Sequence, residues 1–142
     1  GSGTIEHPIR SGFGQNNIKW GMDGKMISWQ NSKLGRKGLA LQGSTETDIY
    51  AGFLDVAAFE RFKLSKEEFA LLKDKEEQAK KADTSKTKKD TAAKNWMPNI
   101  KGFEDRVARL TINSSSIADY AITPDGSKVY YLSAFERGYD LW

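Results

Sequence analysis

Cysteine is absent from these 142 residues, histidine occurs once and proline three times. Without thiols there is no disulfide scaffold, no thiolate zinc site and no thiol nucleophile. The compartment stays open, cytoplasmic or exported, because exported proteins can also lack cysteine. The single imidazole, His7, lies in a glycine-flanked stretch before any recognisable strand and reads as a surface residue. Nucleophilic catalysis needs a hydroxyl, a base beside it and a third group holding that base, and no such set is evident. One histidine without cysteine cannot supply a transition-metal cluster, and no D-x-[DN]-x-[DN]-G calcium loop is present. The expectation is a chain with no catalytic, cofactor-binding or metal-binding residues of its own. No apolar run approaches the ~20 residues of a membrane-spanning helix. No secretory h-region opens the sequence, so a signal peptide, where the protein has one, has been removed or lies outside it. Gly1, Ser2 and Gly3 read as a cloning scar, and residues 1–7 as a disordered start.

Net charge is also small. The formal value is +3, and the whole excess sits in residues 73–94, where eight lysines stand against five acids. A neutral remainder argues against a nucleic-acid-binding face. The lysine segment lacks interleaved aromatics for base stacking and an amphipathic face for a membrane, so it reads as a solvated linker.

What the chain does have is glycine, aromatics and short apolar alternations on either side of that charged middle. Ile18, Trp20 and Met22 fall on one face of an expected strand, and Ile27 and Trp29 on one face of the next. Between them stands Asp23 with Gly24, a strong hairpin signal because glycine accepts the positive φ that the turn demands. The device recurs at Pro124, Asp125 and Gly126, ahead of Val129, Tyr130, Tyr131 and Leu132. There Pro pre-sets φ at the first corner, and Gly126 can close a three-residue loop with a bulge.

Both copies then end in Asp, Ile or Leu, and an aromatic residue: Asp48, Ile49 and Tyr50 in one, Asp140, Leu141 and Trp142 in the other. From turn to final strand the spacing is 25 residues in the first copy (Asp23 to Asp48) and 15 in the second (Asp125 to Asp140). The ten extra residues fit the glycine-rich stretch 34–43. A repeated sheet unit of roughly 40 to 50 residues is the mark of a β-propeller blade. Two unrelated hairpins in an α+β domain would give the same local signals.

The expected organisation is therefore mainly β. About two propeller-type blades of antiparallel sheet, residues 8–62 and 96–142, are separated by a charged helical insertion and lysine-rich linker, residues 63–95. Ser65 and Glu68 form a capping box, with Leu64 and Phe69 at the positions of a hydrophobic staple. Phe69, Leu71 and Leu72 provide about one apolar turn to dock on the sheet. From Lys73 the pattern is polar all round, so the helix should leave the body and fray, weakly supported by i,i+4 pairs. Residues 83–94 read as the linker proper. A shorter helix is expected at residues 56–62, capped by Asp55.

Other candidate sites carry less. Gly12 and Gly14 do not open a helix, and the stretch 35–43 lacks the Gly-Lys-Ser/Thr ending of a phosphate loop. Glu104, Asp105 and Arg106 could position a substrate terminus, but they read as solvated charges opening a strand with Val107, Leu110 and Ile112 inward.

Three stretches resemble a blade of the tricorn-like serine peptidases of bacteria: 106–115 (RVARLTINSS), 124–132 (PDGSKVYYL) and 135–142 (FERGYDLW). Residues 18–50, followed by 59–68 (FERFKLSKEE), resemble the preceding blade and its charged insertion. One departure is Asn31, Ser32 and Lys33, where a Ser-Asp-Arg turn is usual. The resemblance implies a large parent with β-propellers, a PDZ-like domain and a serine-nucleophile domain, in which propellers sieve and guide peptides toward a distant active site. No nucleophile, base or oxyanion motif of that domain matches a position here, so this chain would be non-catalytic and meet peptide or protein substrate only through the parent. A stand-alone TolB-like module that binds protein partners remains the alternative. Under either, Trp20, Trp29, Tyr50, Tyr120, Tyr131, Phe135 and Trp142 include more apolar surface than two blades can cover, on the order of 1,000 Å². Self-association of the isolated chain is expected.

Overall fold

Asp23 (φ 53°, ψ 41°) and Gly24 (φ 83°) both sit in the left-handed region, and Lys25 N–H closes the turn on Met22 C=O at 3.1 Å. That geometry matches the right-handed twist of the flanking strands. It joins β1 (Gln15–Gly21) to β2 (Met26–Asn31), so Met22 belongs to the turn and not to the strand face expected for it. The computed structural model describes residues 3, 5, 7–9, 12–38, 45–82, 97–134 and 138–142, with side chains of the long helix only to Ala79. Phe135, the linker 83–94 and much of the glycine-rich stretch 34–43 lie outside the described residues.

The chain continues through β3 (Asp48–Phe53), α1 (Val56–Phe62), α2 (Lys66–Ala82), β4 (Val107–Arg109), β5 (Ser116–Ile122), β6 (Val129–Ala134) and β7 (Asp140–Leu141). The fold is mainly β. Among the described residues two antiparallel sheets form, four-stranded in the order β1-β2-β3-β4 and three-stranded in the order β5-β6-β7, and neither closes into a barrel.

The second hairpin turns differently at its corner. Pro124 cannot take positive φ. Instead Gly126 alone does (φ 72°), with its N–H on Thr123 C=O at 2.8 Å.

Despite the different turns, the two hairpins align without a gap. Gly21 pairs with Met26 where Thr123 N–H meets Lys128 C=O. Asn31 opposite Asp48 corresponds to Ser133 opposite Asp140, and Gln30 opposite Ile49 to Leu132 opposite Leu141. Trp29 opposite Tyr50 corresponds to Tyr131, which exchanges two backbone hydrogen bonds with Trp142. Each first strand also carries a bulge, between Asn16 and Lys19 in β1 and between Ile117 and Asp119 in β5. An extra residue on one strand sharpens the local twist.

The sheets pack face to face. Met26, Ala51 and Phe53 of the first meet Leu110 and Ile122, while Ile49 joins Ile117, Tyr120, Val129 and Tyr131. On the other face of the first sheet, Trp29 stacks on Tyr50 (centroids 6.1 Å apart) and is closed over by Leu54, Phe103 and Ile9. Phe103 lies so close to the strand that a Cβ on Gly52 would stand 2.2 Å from its Cζ, so only glycine fits there.

Both helices start as the sequence predicts. Asp55 accepts the Ala58 N–H at 2.9 Å. The Glu68 carboxylate accepts from Ser65 N–H (2.9 Å) while Ser65 Oγ accepts from Glu68 N–H (3.3 Å). What α2 does next differs from expectation. Leu71 is exposed, and the helix meets α1 through Arg61, which pairs with Glu76 (2.6 Å) and lies over the Phe69 ring. The helix extends past Lys73 to Ala82, and the Arg61–Glu76 pair lies about one turn beyond Leu72.

Two placements are also corrected, one in each direction. Ile112 is 88% exposed and Thr111 is buried in its stead. Arg106, expected among solvated charges, is buried.

Candidate functional site

The stretch RLTINSS converges on one carboxylate. Asp48 opens β3 with its side chain 0% exposed. Arg109, the last residue of β4, reaches Asp48 Oδ1 through Nε (3.0 Å) and Nη2 (2.7 Å). Thr111 Oγ1 donates to the same oxygen (2.8 Å), and Ser114 Oγ donates to Oδ2 (2.9 Å). The alternation Arg109, Thr111 brings two donors to one side, and the turn after Ile112 returns the third. Immediately beyond, Thr47 and Ser115 bridge their backbones, and Ser133 Oγ donates to Ser115 Oγ at 2.7 Å. The cluster therefore pins the crossing from the first sheet to the second.

Serine beside carboxylate can suggest chemistry, and here it does not. Both Asp48 oxygens are occupied by donors, and a buried charge so saturated is a structural anchor. The sequence contains the signal for this cluster, an Asp opening one strand and an R-x-T-x-x-S stretch following another. Reading the two as partners required knowing that β3 pairs with β4.

The residues singled out in the sequence are not brought together. His7 is exposed beside Pro8 near the start. Arg106 spends its guanidinium on the backbone carbonyls of Phe53, Lys101 and Asn99, leaving exposed Glu104 and Asp105 without it as a substrate clamp. Gly35 closes a loop, its position set by the Glu46 carbonyl, and Arg36 pairs with Glu46 at 2.7 Å. Arg36 hydrogen bonding holds the Glu46 carboxyl below its usual range. Asn31 Oδ1 accepts Lys33 N–H at 2.6 Å, a local turn of the Asx kind.

Two further features are concave or polar. A groove of about 250 Å³ lies between the helices and the second hairpin turn, lined by Phe62, Leu64, Phe69, Arg61, Asp125 and Ser127 among others. Hydrogen bonds from Thr123 and Ser127 draw the Asp125 carboxyl down to about 2. At the sheet junction, Lys19 Nζ donates to Asp119 Oδ1 (2.6 Å) and to the Tyr120 carbonyl, and Asn17 Nδ2 reaches the same Asp119 oxygen (2.9 Å). Those bonds, that of Lys19 foremost, hold Asp119 well below the ordinary carboxylate range. Burial raises the Tyr120 hydroxyl, which donates to Ser28 Oγ or Asn17 C=O at 2.9 Å.

Among the described residues no group of three His, Asp or Glu side chains is placed to hold a metal ion, and no helix is long and apolar enough to cross a membrane. No protein-family model, curated protein or solved structure matches the chain.

Proposed function

We propose that this chain is a non-catalytic propeller segment of a tricorn-like serine peptidase, where it helps guide peptides to a catalytic domain carried elsewhere in the parent. The observation that carries the reading is the shared register of the two sheets combined with the sense of their contact. One face of the first sheet meets the opposite face of the second, the arrangement that radial stacking of repeated blades requires. The first sheet also has the four antiparallel strands of a blade, with the helical pair inserted between its third and fourth. The RLTINSS stretch that carries the family resemblance has a defined task in this reading: it fastens the fourth strand to the third through Asp48.

The test is at the gene and the bench together. A PDZ-like and serine-peptidase coding region downstream of this segment, with no hydrolysis of fluorogenic peptides by the purified chain, is the expected result. A stop codon soon after Trp142 would replace the peptidase reading with a TolB-like interaction module. Hydrolysis by the chain alone would overturn both.

A further inference from the structure

The contact between the two sheets is made by unlike faces. On the first sheet it uses the face of Met26, Ser28 and Gln30. On the second it uses the face of Tyr120, Ile122, Val129 and Tyr131. Because the hairpins align, each remaining face can be matched to one already in use. Tyr130, Leu132 and Leu141 of the second sheet hold the places that Ser28, Gln30 and Ile49 hold in the first. Ile18 and Trp20 of β1 hold the places of Tyr120 and Ile122.

The second sheet's leftover face is apolar and open, and that of the first is open along β1, while Leu54, Phe103 and Ile9 cover its Trp29 and Tyr50 side. Leu141 is 70% exposed, Ile18 62% and Trp20 68%, and Tyr130 and Leu132 are also exposed. Their chemistry is complementary. In the built contact the large Tyr120 meets the small Ser28 through a hydrogen bond. In the unbuilt pair the equivalents are Ile18 and Tyr130, a branched aliphatic against an aromatic face whose hydroxyl keeps its hydrogen bonds by staying at the wet rim. Beside Ile18 a groove of about 180 Å³, lined by Ile9, Ile27 and Trp29, is open to take a side chain.

We propose that a second copy of this chain docks the Ile18 and Trp20 face of its first sheet onto the Tyr130, Leu132 and Leu141 face of the second sheet, continuing head to tail the stacking already made within one molecule. Such a contact is heterologous, so it closes into a ring or grows as a fibre and does not stop at a two-fold dimer. The inference rests on the observed packing and not on the peptidase kinship. In a parent with further sheets, those sheets would occupy the same two faces.

Five large side chains give an interface on the order of 1,000 Å² in total, at the low end for specific association, so micromolar affinity is expected. Sedimentation and light scattering of the purified chain, from about 1 to about 300 µM, should show mass rising with concentration past that of a dimer. Leu132→Glu and Trp20→Glu should each remain monomeric alone, with unchanged circular dichroism because both positions are exposed. Mixed in equal amounts they should form a heterodimer and nothing larger, since each keeps one intact face. Tyr130→Glu and Ile18→Glu repeat the pairing should either first variant lose its fold. A monomer throughout the range, unaltered assembly in either variant, or a mixture that stays monomeric would each overturn the proposal.

Discussion

Asp48 and Asp140 occupy the same place in two copies of one sheet pattern, yet their surroundings are opposite. Asp48 is fully buried with Arg109, Thr111 and Ser114 donating to it, whereas Asp140 is exposed at the edge of a three-stranded sheet. Truncating Asp48 would leave the Arg109 guanidinium and two hydroxyls without their acceptor. Loss of one partner from a buried charged pair costs about 3–5 kcal/mol. We therefore expect Asp48→Ala to lower the urea midpoint sharply, and Asp140→Ala to stay within about 0.5 kcal/mol of the parent, as exposed substitutions do. Equal losses at the two positions would show that the carboxylate cluster is not what fixes β4. Neither the burial of Asp48 nor that of Arg106 was legible in the sequence. Charge type and local pattern are the same at solvated and saturated sites, and the difference is made by chain segments far apart in sequence.

At the scale of elements, the sequence was most informative where a rule is local. The Asp23 and Gly126 turns, the Asp55 cap and the Ser65 and Glu68 capping box all involve residues at most four apart, and all form. Strand faces were read less well: β1 alternates as expected, but Ile18 and Trp20 end on the outside because the segment bearing Phe103 covers only the Trp29 and Tyr50 side of that face. The contact of α2 with α1 was not legible for the same kind of reason, since Arg61 and Glu76 are paired across a turn that no helical periodicity reveals. The capping box gives α2 a test of its own. Hydrogen bonds from Ser65 hold the Glu68 carboxyl below its ordinary range, and Ser65→Ala removes one of the two reciprocal bonds. Helix stability should fall by about 1 kcal/mol, read as faster amide exchange in the first turn of α2 with the β2 and β3 amides unchanged. Faster exchange spread through the sheets would mean that α2 is coupled to them more tightly than its contacts indicate.

For the whole molecule, what joins the two sheets decides how it responds to acid. The aliphatic part of the junction, Ile49 with Ile117, is indifferent to pH, but its rim is not: Lys19 and Asn17 of β1 both bind the Asp119 carboxylate of β5. The folded state holds Asp119 below its ordinary value of 3.8. In acid the unfolded chain therefore binds the proton more readily than the folded one. By linkage, stability rises with pH in that window. The contribution is complete above about pH 4–5 and is lost as pH falls through the lower folded value. Tyr120 works in the opposite direction at the far end of the scale. Its folded value is raised by burial, so its contribution holds below about pH 10 and fades as pH climbs further. Thermal melts should accordingly show a plateau between about pH 5 and pH 9 with decline on both sides. Asp119→Asn keeps the shape of the side chain and one acceptor for Lys19 while removing the titration, so it should lower the plateau slightly and flatten the acid limb. Since Asp119 is solvent-facing, added salt should reproduce part of the same loss near neutral pH. An acid limb of unchanged steepness in Asp119→Asn would place the acid-sensitive contact elsewhere, with Asp125 and Glu46, whose folded values are also lowered, as the groups to substitute next.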